Sequence, residues 1–128
     1  MQAYVPLNGD ATYARTRPFS QGVAQLLEKQ HPELVVSRMT KSLRGGKVFV
    51  DWSQNAESKT TVCVWSLRAR DRPTVSTPVS WEEVERTLAA GDPALLTFEA
   101  GAALERAAAG DLWADVLTLE QELPKLGT

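Results

Sequence analysis

The chain has 128 residues, of which 43% are hydrophobic and 23% charged, the composition of a folded globular domain rather than a disordered or fibrous protein. A single cysteine, Cys63, excludes an internal disulfide and a cysteine-based zinc site. No apolar run approaches the length of a membrane span, and the first residues lack a signal-peptide pattern. We therefore expect a cytoplasmic protein with no membrane partner.

The net charge of −2 hides an asymmetry along the chain. Residues 13–72 carry 11 Lys and Arg against 5 Asp and Glu, whereas residues 73–128 carry 3 against 10. A basic first part favours an anionic partner, either a nucleotide or a nucleic acid. The acidic second part is more typical of a solvated helical surface than of another binding site.

The predicted elements of the basic part begin with a strand over Met1–Leu7, where apolar residues alternate and Pro6 places the end at a sheet edge. A helix is expected from Arg17 and Pro18 to His31, since Pro32 ends it. Its predicted buried stripe is Phe19, Val23, Leu26 and Leu27.

The centre of the chain predicts three strands. Leu34–Val36 is a short candidate, and the pair Gly45 and Gly46 then breaks the chain. Residues 47–52 and 60–67 are rich in valine and aromatics and predict a hairpin joined by the polar loop 53–59. The second of these segments is apolar on both faces, which favours an inner position in the sheet with Cys63 buried.

The acidic part predicts helices. Ser80 and Glu83 form a capping box that opens a helix over Trp81–Ala90, and Gly91 ends it. An extended link, Ala94–Phe98, leads to a helix over Ala100–Ala109. Asp111 is expected to cap a last helix, with an apolar stripe of Leu112, Val116, Leu119 and Leu123. The predicted class is α+β: one domain, residues 1–128, with an antiparallel or mixed sheet packed by helices, basic over 1–72 and acidic over 73–128.

Residues 39–55, M-T-K-S-L-R-G-G-K-V-F-V-D-W-S-Q-N, carry the clearest chemical signal. Basic residues and a glycine pair lead into an apolar strand that ends with Asp51. Cations can hold a polyphosphate, and a nearby carboxylate can hold the Mg²⁺ or Mn²⁺ that accompanies it. Arg44 and Arg68 could grip a triphosphate through forked hydrogen bonds. The alternative is a solvated Asp51 and arginines that pair with the acidic half.

Other residues give weaker signals. His31, the only histidine, is expected at the surface beside a helix end. The glycine pair lacks the complete P-loop pattern. The four tryptophans are expected to pack between elements; an exposed one beside cations would instead suggest stacking on bases.

The run of residues 39–55, together with T-V-C-V-W-S-L-R-A-R (61–70) and V-S-T-P-V-S-W-E-E-V (75–84), resembles the polymerase domain of bacterial ATP-dependent DNA ligase D. This family belongs to the archaeo-eukaryotic primase superfamily and acts in non-homologous end joining. The resemblance covers essentially the whole chain and corresponds to the C-terminal half of the family's domain. It implies an α+β fold that is half of a primase-polymerase core.

The resemblance also implies roles for individual residues. Asp51 matches the family's third metal-binding carboxylate and would be a catalytic and metal-binding residue, whereas Arg44 and Arg68 match residues that hold the nucleotide's phosphates. Gln54 matches a polar residue of the nucleotide site, and Lys41 and Lys47 would give electrostatic support. Val64 and Trp65 stand where the family commonly has Pro-Tyr.

The resemblance implies a substrate NTP or dNTP, a divalent Mg or Mn ion in the complete domain, and DNA ends as partners. A ligase domain, the Ku end-binding protein and the other half of the polymerase domain are further expected partners, and the expected location is the nucleoid. The family's Asp-x-Asp pair is not among the 128 residues, so we expect no catalysis by this chain alone. Three hypotheses stay open: part of a DNA-end nucleotidyltransferase, a non-catalytic module that binds nucleic acid or nucleotides, or a gene remnant or partial reading frame without independent function.

Overall fold

The computed structural model describes residues 1–124, which form a mixed α+β fold as predicted. Its helices are α1 (Tyr13–Gln30), α2 (Trp81–Ala90) and α3 (Ala100–Ala109), and its strands are β1 (Val35–Val36), β2 (Val48–Phe49), β3 (Leu67–Arg68) and β4 (Thr74–Val75). Contacts divide the chain into two units. The first contains residues 1–61 and the chain from Leu119, and the second contains residues 62–118.

The long helix of the first unit, α1, begins earlier than expected. Thr12 is its N-cap residue, so Pro18 lies inside the helix rather than in its first turn. The end is as predicted: the helix stops at Gln30, and His31 is exposed. Ala24 is fully buried, whereas Leu26 of the expected stripe is half exposed, so the buried face is shifted from the predicted one.

The predicted hairpin of residues 47–52 with 60–67 is wrong. β2 instead pairs in parallel with β1, with Val35 opposite Val48 and Val36 opposite Phe49. The strand ends there because Asp51 caps a short 3₁₀ helix, Trp52–Gln54, which turns the chain out of the extended conformation. β3 pairs with a later segment, the antiparallel strand β4. Cys63 precedes β3 and is exposed, which corrects its expected burial.

The predicted strand over residues 1–7 is also absent from the described structure. The end of this segment is instead held by chain from the other terminus: the Gln121 side chain donates to the Pro6 carbonyl at 2.8 Å. The Gln121 N–H donates to the Leu7 carbonyl at 3.1 Å. Asn8 follows with a φ of 47°, a left-handed conformation that ends any extended run.

Both helices of the second unit have the predicted bounds. Ser80 and Glu83 form the complete capping box of α2, and Gly91 ends it with a φ of 65°. The link before α3 differs from prediction, since Pro93–Leu96 is a short 3₁₀ helix capped by Asp92. The last predicted helix is reduced to the 3₁₀ turn Ala114–Leu117.

An arginine on α3 connects the two helices of this unit. Arg106 donates to the Glu83 carboxylate at 2.5 and 2.9 Å and to the Pro78 carbonyl at 2.8 Å. Its guanidinium lies 4.6 Å from the centre of the Phe98 ring. Hydrogen bonds from Arg106 hold the pKa of Glu83 below its ordinary value, against the opposing effect of partial burial. The pair therefore joins α3 to the N-terminus of α2.

Large apolar side chains remain at the surface of each unit. Among the described residues, the fully buried apolar ones are Ala24 and Val36 in the first unit and Ala103 in the second. On α2, Trp81 is 73% and Leu88 82% exposed, and their spacing of seven residues places them on one helix face. Trp81 is followed by Glu82 and Glu83 rather than by cations, so it lacks the setting of a base-stacking tryptophan. No helix within residues 1–124 has the length and apolarity needed to cross a bilayer.

We expect Arg106→Gln to lower the free energy of unfolding of the second unit by about 2 kcal/mol at neutral pH, because it leaves Glu83 without its charged partner. The folded-state pKa of Glu83 is depressed. Its stabilising effect is therefore complete above the unfolded pKa of about 4.3 and disappears as the pH falls through the folded value. Urea unfolding followed by NMR signals of residues 62–118, at pH 7 and near pH 3, measures both effects.

The control is Arg72→Gln, which removes the more exposed ion pair with Glu99 and should cost less than about 1 kcal/mol. An equal loss in the two variants, or a loss for Arg106→Gln that does not shrink in acid, contradicts the proposed connection.

We expect the isolated chain to self-associate at micromolar concentration through the exposed apolar face of α2. Light scattering after gel filtration should show species larger than the 14.0 kDa chain. The double variant Trp81→Ser, Leu88→Ser should reduce this association. A monodisperse wild-type monomer contradicts the expectation.

Candidate functional site

The basic loop between β1 and β2 is a structured turn. Residues Lys41–Leu43 form one turn of 3₁₀ helix, which the Arg44 N–H closes by donating to the Lys41 carbonyl at 3.1 Å. A second turn follows at once, in which the Lys47 N–H donates to the Arg44 carbonyl at 3.0 Å. Gly46 has a φ of 70° there, a conformation that other residues adopt only with strain. The glycine pair therefore brings the basic residues onto one compact loop.

The guanidinium of Arg44 is fixed by this loop and by β2. It lies 3.9 Å from the centre of the Phe49 ring, and its Nη2 atom donates to the Met39 carbonyl at 2.5 Å. The side chain is half-buried, and its Nε atom is buried with no hydrogen-bond partner within residues 1–124. Arg44 is thus held in one place while a donor group remains unused.

The cations of this loop are not neutralised by carboxylates of the described chain. Lys47 donates to the Pro32 carbonyl at 2.6 Å, and Lys41 is exposed. Among residues 1–124, the ion pairs are Arg15–Asp10, Arg38–Glu28, Arg72–Glu99 and Arg106–Glu83. Lys41, Arg44 and Lys47 belong to none of them. This finding disfavours the alternative in which the basic cluster exists to pair with acidic residues.

Asp51 lies two residues after β2 and is held by the turn that follows. Its Oδ1 atom accepts from the Ser53 N–H at 3.1 Å and from the Ser53 hydroxyl at 2.5 Å. Its Oδ2 atom accepts from the Gln54 side-chain amide at 2.9 Å. A carboxylate has about four lone-pair positions, and residues of this turn occupy three. The carboxylate is therefore oriented by its own chain with room for one further ligand.

The same hydrogen bonds keep Asp51 ionised. Partial burial raises its pKa, but the hydrogen bonds from Gln54 and Ser53, together with the charge of Lys59, outweigh that effect. The net result is a pKa below the ordinary value. Because a divalent cation binds the ionised form, this environment suits a metal-ligand carboxylate.

The turn that carries Asp51 is anchored to the rest of the first unit through Trp52. The Trp52 indole N–H donates to the Ser37 carbonyl at 2.9 Å, just beyond β1. From α1, the Ser20 hydroxyl donates to the Trp52 carbonyl at 3.3 Å, and the Arg17 guanidinium lies 5.5 Å from the centre of the indole ring. Both α1 and the parallel strand pair thus fix the position of the carboxylate.

Ser53 is a site residue that the sequence analysis missed. It is only 6% exposed, and both its backbone and its side chain donate to Asp51. The signal was present in the sequence, because Asp followed two residues later by a backbone donor is the pattern of an Asx turn. Gln54, expected at the nucleotide site, is placed on Asp51 instead, and its Oε1 atom is buried without a hydrogen-bond partner in residues 1–124.

Arg68, the other expected phosphate ligand, belongs to the second unit. It is the last residue of β3, where it lies opposite Thr74, and it is exposed. Like Lys41, Arg44 and Lys47, it forms no ion pair with a carboxylate of the described residues. Its expected role stays a prediction.

The described residues do not form a complete metal centre by themselves. Within residues 1–124, no three His, Cys, Asp or Glu side chains converge on one point. Asp51 fits the requirement for one metal ligand, because it is oriented, ionised and open at one lone pair. It does not constitute the two-metal carboxylate site that phosphoryl-transfer enzymes use.

Comparison with known proteins places this geometry in a family. Residues 1–113 match the model of the primase-polymerase domain of LigD. The multifunctional non-homologous end joining DNA repair protein LigD of Mycobacterium tuberculosis is 46% identical over 113 residues, which are 88% of this chain and 14% of that protein. The LigD of Mycolicibacterium smegmatis is 49% identical over 84 residues, 66% of this chain and 11% of that protein.

A solved structure, the polymerase domain of Mycobacterium tuberculosis ligase D in complex with DNA, matches with a TM-score of 0.79 and 44% identity. The match covers 91% of this chain and 39% of that one. The chain belongs to the LigD primase-polymerase family, whose curated members are proteins of non-homologous end joining. It spans about one seventh of the full-length M. tuberculosis relative.

We expect Ser53→Ala to destabilise the first unit by about 1 kcal/mol, because it removes one buried hydrogen bond to Asp51. NMR-monitored urea unfolding of residues 1–61 is the measurement. Ser42→Ala, an exposed serine of the 3₁₀ turn before Arg44, is the matched control and should change stability by less than about 0.5 kcal/mol. Equal effects of the two substitutions would contradict the role given to Ser53.

Proposed function

We propose that this chain forms part of a primase-polymerase site that adds nucleotides to DNA ends in non-homologous end joining. The observation that carries the proposal is the arrangement along β2: an unneutralised cationic loop at one end and an oriented, ionised carboxylate at the other. The family membership supplies the reaction class.

In this proposal Asp51 is one ligand of a divalent Mg or Mn ion, which would stabilise the charge that develops on the transferred phosphoryl group. Ser53 and Gln54 hold the carboxylate in its ligand orientation, as outer hydrogen-bond partners of metal ligands commonly do. Further carboxylates are proposed to come from the rest of a polymerase domain, because no three potential metal ligands converge within residues 1–124. Catalysis is therefore expected only when the rest of a polymerase domain is supplied.

Arg44 is proposed to hold the phosphates of an NTP or dNTP. Its stacking on Phe49 and its bond to Met39 fix the guanidinium before the ligand arrives, so little side-chain entropy remains to be lost. Arg68 is proposed as a second phosphate ligand on the strength of the family resemblance. Lys41 and Lys47 raise the local positive potential that attracts the nucleotide.

The proposed partners follow from the family. DNA ends are the substrate, and the remainder of the polymerase domain, a ligase domain and the Ku end-binding protein are the proposed protein partners. A nucleoid location would follow from binding to DNA.

A second candidate function is a binding module that retains the cationic loop and performs no chemistry. The single oriented carboxylate favours it, since one ligand does not hold the two metal ions of a polymerase site. In this case DNA or nucleotide binding should weaken steeply with salt, while nucleotide addition stays absent even with the complementary part of the domain present.

The test is nucleotide addition to a labelled DNA end, with the part of a LigD polymerase domain that this chain does not match supplied as a second polypeptide. We expect activity with the wild-type chain and loss to background with Asp51→Ala, because the metal loses a ligand. Asp10→Ala is the matched control, since Asp10 is an exposed carboxylate of the same unit, and it should retain wild-type activity. Activity that survives in Asp51→Ala contradicts the assigned role.

A further inference from the structure

Positive charge in the second unit is concentrated at one turn. Residues 62–118 carry five Arg and Lys against nine Asp and Glu. Three of the five, Arg68, Arg70 and Arg72, fall within five consecutive residues. An acidic unit with one cluster of basic residues directs an anionic partner to that cluster.

These arginines belong to the segment formed by β3, β4 and the turn between them (residues 67–75), here called the arginine hairpin. Its base is a well-formed antiparallel pair, with Leu67 opposite Val75 and Arg68 opposite Thr74. The pairing continues into the residues that precede β3 and follow β4, where the Ser76 N–H donates to the Ser66 carbonyl at 2.9 Å. The Trp65 N–H donates to the Ser76 carbonyl at 2.7 Å.

The hairpin is also attached to the body of its unit. The Val75 N–H donates to the Phe98 carbonyl at 2.8 Å. At the tip, Arg72 forms an ion pair with Glu99, the residue before α3. This ion pair fixes the C-terminal side of the turn. The charges of Arg68 and Arg70 remain available to bind an anionic partner.

Arg68 and Arg70 are exposed, and neither forms an ion pair with a carboxylate of residues 1–124. Asp71 follows Arg70 directly and is itself exposed. A nearby cavity of about 420 Å³ is lined by other residues of this unit, among them Arg86 and Arg106. Arg68 and Arg70 therefore lie on an exposed turn and do not line this cavity.

We infer that the arginine hairpin binds the phosphodiester backbone of a nucleic acid, with Arg70 as its principal contact and Arg72 as the residue that positions the turn. An exposed turn that carries a guanidinium group without an ion-pair partner among the described residues suits an extended polyanion, because a backbone phosphate can reach it without entering a cavity. The inference deepens the proposed function, on whose DNA-end binding it rests. It assigns Arg70 to the backbone phosphates of the nucleic acid. The phosphates of the incoming nucleotide remain assigned to Arg44 and Arg68.

The test is fluorescence anisotropy with a labelled DNA duplex that ends in a single-stranded overhang, measured with the complete chain between about 50 and 200 mM salt. Arg70→Gln should weaken binding roughly tenfold at the lower salt and reduce the slope of log affinity against log salt by close to 1, since one phosphate contact is lost. Arg86→Gln is the matched control. It makes the same charge change on an exposed residue of α2 and should leave the slope unchanged.

A parallel titration with Mg²⁺ and ATP separates this inference from the proposed function. Unchanged ATP binding in Arg70→Gln, together with the reduced DNA slope, supports the backbone contact. Equal losses of ATP and DNA binding would place Arg70 at the nucleotide and overturn the inference alone. A wild-type slope in Arg70→Gln, or equal losses in Arg70→Gln and Arg86→Gln, would also overturn the inference alone. No DNA binding by the wild-type chain at low salt would overturn the inference together with the DNA binding of the proposed function. Unchanged ATP binding in Arg44→Gln would count against the proposed phosphate site and leave the hairpin result standing.

Discussion

The hydrogen bonds that Asp51 accepts from Ser53 and Gln54 determine the course of the chain in the first unit. They end β2 after two residues and start the 3₁₀ turn, so that Trp52 points back to Ser37 and α1. Without this turn, β2 could continue in the extended conformation that its valines and aromatics favour. The parallel pairing with β1 and the packing of α1 on the turn both depend on it.

The same interaction connects folding with the proposed chemistry. A carboxylate that caps a turn is ionised and immobile for structural reasons, and these are the properties that a metal ligand needs. The three hydrogen bonds also limit what Asp51 can do, because they leave one lone pair open. A single, directed coordination bond is compatible with the turn, whereas a chelating carboxylate would have to break it.

Local signals in the sequence were sufficient for the second unit's helices and insufficient for the sheet. The capping box of Ser80 and Glu83 and the left-handed Gly91 define α2 through contacts within four residues, so its bounds were predicted without error. Strand pairing depends on distant partners. The valines of β2 match β1 as well as they match residues 60–67, and nothing local distinguishes the two pairings.

The charged residues of the candidate site were predicted from the sequence, whereas the residues that hold them in place were not. Asp51, Arg44 and the lysines were found because charge and glycine patterns are visible in a single sequence. Ser20 and the anchoring role of Trp52 were missed, since their importance comes from contacts with residues up to 32 positions away. Ser53 was missed although its contact with Asp51 is local and typical of an Asx turn. Gln54 was recognised as a site residue, but the contact that it makes, with a carboxylate of its own turn, required coordinates.

Two arginines of the chain have similar local packing but different electrostatic environments. Arg44 and Arg106 each lie over a phenyl ring, at 3.9 and 4.6 Å, and each donates to a backbone carbonyl. Arg106 also has the Glu83 carboxylate, so its charge is neutralised and its function is to join two helices. Arg44 has no carboxylate partner among the described residues. A stacked, half-buried guanidinium that keeps its full charge can attract an anion from outside the chain, and in the function proposed above that anion is a nucleotide phosphate.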